Sequence, residues 1–458
     1  MAGIGDSASY GFIGSFLLYF LTAVAGVSAI LAGLVSSLGS LWNMLYNPVI
    51  GYISDHSTNQ YGRRRPFILA GAFATLLAII LLFYSLNVSS DILKTIYYAV
   101  MAVFFWTGFS TFSIPYMALG AELTSDYDER TKLRAYTSIF YMIGGLFGMV
   151  MPTGVVAFVT SLGFSLPAAW RGAAAAVAFF TFFPIVYTWI ATKGAELPKA
   201  NREALTQRVF AVDMIKEYGE IIALKPMRYL IAGSIIFLIA STMTATGRMY
   251  FVTYNMQLPT GTISFVYLYA TLIGLVVIPI IGFISVRIGK RRTYIMFMMT
   301  GAASALFFGF YDMKTIPQLF IYLFFSRFAA SAYWQLVPSM NYDICEVDEF
   351  VSGKRREGTI ASVTALAESL SSSIALLILG FILHLSGFDG DTALQSQIAL
   401  DWMRYTFTYI PAIFMALSAI AIYLYPLTKE NFNRIKAELE KKRRGEEVSQ
   451  DGIEKVLK

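Results

Sequence analysis

The sequence predicts an all-α membrane protein of twelve transmembrane helices, built as two pseudo-symmetric six-helix bundles. Three observations predict it: an apolar composition, twelve apolar runs of spanning length, and a glycine–arginine loop that recurs at the same place in each half. Of 458 residues, 57% are hydrophobic and 16% aromatic, with only 14% charged. A water-facing surface needs more charge than that, so the surplus apolar area must face lipid.

Crossing a ~30 Å hydrocarbon layer takes about 20 apolar residues. Runs of that kind fall at 5–26, 29–53, 66–88, 94–121, 134–160 and 168–192, then at 227–256, 262–286, 293–311, 316–345, 358–386 and 402–427. The first has small residues near Ala23 to Gly26, as a secretory signal does. Eleven further runs follow it, so it is expected to stay as a mature helix. The runs are too long, and alternate too little, for barrel strands. The expected division is a bundle over 1–192, a polar linker over 193–226, a second bundle over 227–427 and a basic tail over 428–458. In that tail Ile435 and Leu439 sit one turn apart among charges, which reads as a solvated or membrane-surface helix. Lys441 to Arg444 are either a topology anchor or a contact for anionic headgroups.

Basic residues set the expected orientation. The loops after spans 2, 4, 6, 8 and 10 carry three, three, seven, four and three of them, and the tail nine. The opposite loops and adjoining helix ends carry four: Lys94, Arg171, Lys314 and Arg404. Both termini are therefore expected in the cytoplasm. The net charge of +6 and pI near 9.1 follow from those loops and call for no nucleic-acid partner.

Gly51-Tyr-Ile-Ser-Asp55 closes span 2 and Gly62-Arg63-Arg64-Arg65 leads into span 3. In the second half, Gly282-Phe-Ile-Ser-Val286 and Gly289-Lys290-Arg291-Arg292 stand between spans 8 and 9, with Gly282 231 residues after Gly51. Such punctuation at equivalent places implies an internal repeat. Asp55 is placed to accept charge-assisted hydrogen bonds from the cluster Arg63, Arg64 and Arg65 or from neighbouring helix ends, with Asp55, Arg63 and Arg64 as candidate gating residues; the plainer reading is a capped positive-inside loop.

On these residues the chain resembles the major facilitator superfamily, and more narrowly the glycoside–pentoside–hexuronide cation symporters, the group of melibiose permease, with a likeness to sucrose transporters. Three stretches carry the resemblance: Leu41-Trp42-Asn43 through Asn47-Pro48 to Gly51 and on to Pro66-Phe67; Ser113-Ile-Pro115-Tyr116; and Tyr342-Asp343-Ile344 followed by Gly353 to Gly358. The resemblance implies a major facilitator fold and gradient-driven transport. It also exposes departures. Asn43 and Asn47 stand where such symporters place carboxylates, and Ser113 stands for the helix 4 Asp. Ser138 and Val351 fall where basic residues are usual. Amide oxygens ligate a cation but bring no negative charge and carry no proton.

A charge inside a span is costly, so it should face a cavity or a partner. Among acidic residues, Glu368 alone reads as near mid-depth, in span 11. It is a candidate proton carrier, or else a static partner of Arg327 in span 10. Arg327 is also a candidate grip on an anionic or hydroxylated solute, while Arg248, nearer a span end, has the plainer reading of snorkelling. Asp343 and Glu346, one turn apart, suit a gate latch with Lys354 to Arg356 better than a metal site. Trp42, Trp334 and Gln335 offer aromatic faces and an amide to a sugar ring, and Ser110, Ser113 and Tyr116 add hydroxyls; packing is the competing reading for each aromatic.

The expectation is a transporter of a small glycoside-like solute working by alternating access, more readily proton-coupled than sodium-coupled. The alternative is a carrier or flippase of an amphipathic, lysolipid-like solute. The expected partners are that solute, the lipid bilayer and H⁺, in a monomer at the plasma membrane. One cysteine, Cys345, and two histidines give no disulfide framework or metal site, and no cofactor is implied. Without a phosphate-binding Gly-rich loop, ATP-driven transport is not implied. A membrane enzyme would call for acids or histidines clustered at a cavity; Asp126, Asp128 and Glu129 cluster only in a loop. Single cysteines placed at 60, 290 or 445 in a Cys345-free protein are expected to label from the cytoplasmic side alone, and labelling of sealed cells from outside at any of them would overturn the topology.

Overall fold

Lipid supplies no hydrogen-bond partners, so each apolar run must satisfy its own backbone, and it does so as a helix. The computed structural model describes the chain apart from His56, Thr58, Gln60, Ser89, 124–126, 195–210, Arg355, Asp391, Gly445 and 448–458, with 121, 122, 127–132, 134, 135 and 211–215 described as backbone only. Gln60, Gly445, Arg355 and Asp126 of the expectations above therefore lie outside the described residues, as do the side chains of Asp128, Glu129, Arg130, Lys132 and Arg134. The helices are α1 (Ala2–Ala23), α2 (Ala29–Asp55), α3 (Arg65–Leu82), α4 (Asp91–Glu122), α5 (Tyr127–Met149), α6 (Met151–Ser161), α7 (Leu166–Ala191), α8 (Ala211–Ala223), α9 (Lys225–Tyr250), α10 (Thr260–Ile288), α11 (Lys290–Phe310), α12 (Ile316–Ser352), α13 (Glu357–Leu385), α14 (Gln397–Phe407), α15 (Tyr409–Tyr423) and α16 (Lys429–Arg443). No strand occurs among the described residues.

The twelve runs map onto this order, with α5–α6 and α14–α15 each forming one interrupted span. Proline explains both interruptions. Pro152 opens α6 at its first turn. Pro411 has no N–H to offer the Phe407 carbonyl, and the Tyr322 hydroxyl donates to that oxygen instead, at 2.7 Å. Among the described residues, ten helical stretches are long and apolar enough to cross a membrane by composition; α1 and α12 fall short. Their composition explains it: α1 mixes Gly, Ser, Tyr and Asp6 among its apolar residues. In α1 all but a few residues are buried by protein, and α12 carries Arg327, Asn341, Asp343 and Asp348, so neither presents a continuous apolar face to lipid.

Two helices lie outside the spans. α8 forms inside the linker that reads simply as polar. The tail reading needs correction: α16 packs on α12, with Ile435 and Leu439 buried, so it is not a solvated helix. Lys442 donates to the Phe350 carbonyl at 2.7 Å and Arg443 pairs with Glu349 at 2.6 Å, so these basic residues are spent on protein.

The chain divides into two compact units. Unit 1 holds Met1–Gln207 with Ala245–Thr271 and Ser373–Met403, so segments of both sequence halves pack within it. In this unit α1 lies on α5 and α7, and α4 on α2 and α3. Close approach is bought by glycine: a Cβ on Gly144 or Gly148 of α5 would fall 2.3 or 2.2 Å from the Ile4 or Ala8 carbonyl oxygen of α1. Phe12, Phe16, Phe20, Phe83 and Trp170 form the aromatic core beside α1. One end of the unit is closed by contacts between early and late segments. Gly33 of α2 meets Gly380 of α13, where a Cβ on Gly33 would lie 2.9 Å from the Gly380 Cα. Thr22 and Tyr250 share a hydrogen bond of 2.7 Å, and Asn255 donates to the Leu400 carbonyl at 2.8 Å.

Unit 2 holds Arg208–Thr244, Leu272–Ser372 and Arg404–Lys458. Here α11 packs on α12 and α15. At one end Arg356 bonds the fully buried Asp348 at 2.6 Å and also reaches Glu220 of α8. The Asp348 hydrogen bond holds the Arg356 guanidinium well above its usual range, and the Arg356 hydrogen bond lowers Glu220. The repeat is visible in side-chain work as well. Gly62 and Gly289 both take positive φ, of 113° and 90°. Beside them Arg65 donates to the Trp189 carbonyl at the end of α7 and lies 4.9 Å over that ring, while Arg291 donates to the Tyr423 carbonyl at the end of α15 and lies 5.3 Å over that ring. Each arginine thus caps a helix C-terminus. Removing one member of a buried ion pair strands the other, so Arg356→Ala is expected to cost about 3–5 kcal/mol. Glu220→Gln, at an exposed partner, should shift denaturation in detergent far less, and equal losses would show that Asp348 is not the group being served.

Candidate functional site

The loop clamp forms as the sequence suggests. Asp55, at the C-terminal end of α2, accepts from Arg63 at 3.1 Å and Arg64 at 2.7 Å. Both guanidinium side chains are nearly buried while Asp55 is half exposed, so the pair is fixed from the arginine side.

In unit 1, α2 and α4 present a polar face. Positions 43 and 47 are one turn apart, as are 110 and 113, so each pair shares a helix face. Ser110 donates to Asn43 Oδ1 at 2.8 Å, with both residues buried. Trp42 donates through Nε1 to Thr107 at 2.8 Å and stacks parallel to Tyr46, its ring 36% exposed. Asn47 Oδ1 is buried without a hydrogen-bond partner. Tyr116 lies on the same helix, partly buried. Asn43, Asn47, Ser110 and Ser113 therefore share this α2–α4 face.

One group on this wall escaped the sequence reading. Asp6, on α1, is 8% exposed and accepts a hydrogen bond from Ser113, with the Tyr141 hydroxyl as a second partner. Asp6 is thus a further buried acid within the helices, besides the partly buried Glu368. The signal was present: a single Asp in a run of Gly, Ala, Ser and aromatic residues. Standing second in that run, it reads as helix-end chemistry.

In unit 2 the selected residues are scattered. The Arg327 guanidinium lies against the bare backbone of α10 at Gly274, where a Cβ would stand 2.8 Å from Nη2. Gln335 approaches Gly282 of the same helix, and its Oε1 is buried without a partner. Trp334 points elsewhere and is 53% exposed, while the adjacent Tyr333 is buried and stacks on Phe237. Glu368 is partly buried and forms no ion pair among the described residues, so the static Arg327–Glu368 pair is absent. Asp343 pairs with Lys290 at 2.7 Å and, among the described residues, with neither Lys354 nor Arg356, and Glu346 has one buried oxygen without a partner. Arg248, in unit 1, stacks over Tyr267 at 5.3 Å. No group of three metal-ligating side chains occurs among the described residues.

This fold agrees with what the chain is similar to. It matches the MFS/sugar transport protein family over residues 1–429, and so belongs to that family, with relatives of the glycoside–pentoside–hexuronide cation symporter kind. A glucuronide carrier protein homolog of Escherichia coli (strain K12) is 24% identical over 434 residues, covering 94% of this chain and 91% of the relative. An isoprimeverose transporter of Lactiplantibacillus pentosus is 24% identical over 450 residues, covering 97% and 90%. The crystal structure of a D-xylose-proton symporter superposes with a TM-score of 0.65 at 14% identity, covering 92% of this chain and 95% of that one, a likeness of fold. The chain is a multi-pass membrane protein and a secondary transporter of small solutes.

Proposed function

We propose that this chain moves a glycoside or sugar-like solute across the plasma membrane by alternating access of two six-helix halves, with both termini cytoplasmic and with protons rather than sodium as the coupling ion. The observation that carries the solute class is the α2–α4 wall. Trp42 offers an aromatic face, and Asn43, Asn47 and Ser110 offer amide and hydroxyl groups on neighbouring turns, the mixture that suits a hydroxylated ring. The two relatives named for a glucuronide and for isoprimeverose support the same class. Asn43 and Asn47 supply no charge to offset sodium dehydration, which favours a proton. Arg327, Trp334 and Gln335 are further solute contacts in this reading, and Asp343 with Glu346 joins the loop clamp as gating groups.

Uptake of isoprimeverose and a methyl glucuronide by proteoliposomes, with pH and sodium gradients varied separately, tests the reading. Proton-driven accumulation of either is expected. Transfer of a lysolipid between leaflets without uptake of either sugar would replace it.

Glu368 is the proton carrier of this reading, since it lies within a span with no basic partner among the described residues. Glu368→Gln should abolish uphill uptake while leaving exchange between loaded faces. Sodium-stimulated accumulation that survives in that variant would refute proton coupling through Glu368.

Asp55 controls exchange between states rather than recognition, because its partners are loop guanidinium groups. Asp55→Asn is expected to slow net transport with affinity changed by no more than a few-fold. A large affinity loss at normal exchange rates would make Asp55 a solute contact.

A further inference from the structure

We propose that Asp6 is a proton-exchanging carboxyl of the transport cycle, held in α1 by the hydroxyls of Ser113 and Tyr141. The proposal rests on the proton-coupled reading and gives it a second, separate residue.

The placement is specific. Asp6 lies about 6 Å along α1 from Ala2, at the rise of a helix. At that level α1 is gripped hard: the Ile4 and Ala8 carbonyls meet Gly144 and Gly148 of α5, and a Cβ on Gly5 would fall 2.5 Å from the Thr181 carbonyl oxygen of α7. The carboxyl is thereby fixed against α5, where Tyr141 meets it, while Ser113 reaches it from α4. α2, α4, α5 and α7 pack on α1, and α9 and α10 touch it further along, at Gly14, Thr22 and Phe16. The polar groups they bring to the carboxyl are Ser113 and Tyr141, and no basic side chain pairs with it among the described residues.

An ionised carboxylate taken out of water with no cation beside it is costly, and binding a proton is the direct relief. A metal ion would need several oxygen ligands aimed at one point, whereas here one carboxyl stands among hydroxyls that donate to it. Those hydroxyls serve both states. With Asp6 ionised, Ser113 and Tyr141 donate to the carboxylate oxygens. With Asp6 protonated, the acid O–H donates and a hydroxyl rotates to accept. On release the O–H bond breaks, its electron pair stays on the carboxylate, and the proton passes to water.

The exchange is linked to helix packing through Ser113. One turn away on α4, Ser110 is bonded to Asn43 of α2. The α4 segment that answers to the charge of Asp6 is therefore the same one that orients the amide proposed to meet solute.

The test uses full-length protein in lipid nanodiscs, with infrared difference spectra between acidic and alkaline buffer. A protonated-carboxyl band is expected that disappears in Asp6→Asn and persists in Glu368→Gln. Ser113→Ala should move that band, since a donor to the carboxyl is gone; this arm still decides if Asp6→Asn fails to fold. In proteoliposomes tested with isoprimeverose and a methyl glucuronide, Asp6→Asn should lose uphill uptake and keep exchange. No band assignable to Asp6, or no effect of Ser113→Ala on it, overturns the proposal. So does loss of exchange together with uphill uptake in a folded Asp6→Asn protein, which would make Asp6 a solute ligand. If the wild-type protein takes up neither sugar, the transport reading fails by itself, and the band still shows whether Asp6 exchanges a proton.

Discussion

Everything distinctive about this protein follows from how expensive an unmatched charge is once helices replace water around it. Near the ends of the spans several charges are matched: Asp55 by two arginines, Asp348 by Arg356, Asp343 by Lys290. Inside the spans the matching stops. Asp6 is met by hydroxyls, and Glu368 by no charge among the described residues. A bundle that tolerates two such acids does so for a reason, and exchange of protons is the reason that chemistry offers.

The same constraint shapes the polar wall of unit 1. At positions 43, 47 and 113 the chain carries Asn, Asn and Ser, where its resemblance to the cation symporters leads one to expect acids. Neutral groups there can be buried without a counter-ion, and Asn43 and Ser110 satisfy one another directly. The negative group is supplied from another helix, by Asp6, against Ser113.

The spans were legible because length and apolarity are integrals over some twenty residues, and errors at single positions do not matter. The repeat was legible because Gly62 and Gly289 each need a backbone conformation that other residues resist. The clamp at Asp55 was legible because its partners lie within ten residues. What needed coordinates were relations between distant segments. The partner of Asp343 proved to be Lys290, and the facing of Trp334 could not be read from α12, whose sequence has no clear polar side. α8 was hidden because an amphipathic helix in a polar stretch is too short to show as a span. Asp6 was hidden because a carboxyl near the start of a helix looks like ordinary end chemistry until Ser113 and Tyr141 are seen around it.

The meeting of Gly33 with Gly380 has a consequence for speed. Two backbones touch there with no side chain between them. Parting such a seam frees no rotamers, and rejoining it requires none to be found again, so the usual entropic toll on remaking a contact is small. What remains is weak attraction spread along bare main chain. A seam of that kind behaves less like a lock than like a well-cut drawer: its timing is set by the motion of whole helices, and it has no local latch of its own to wait for.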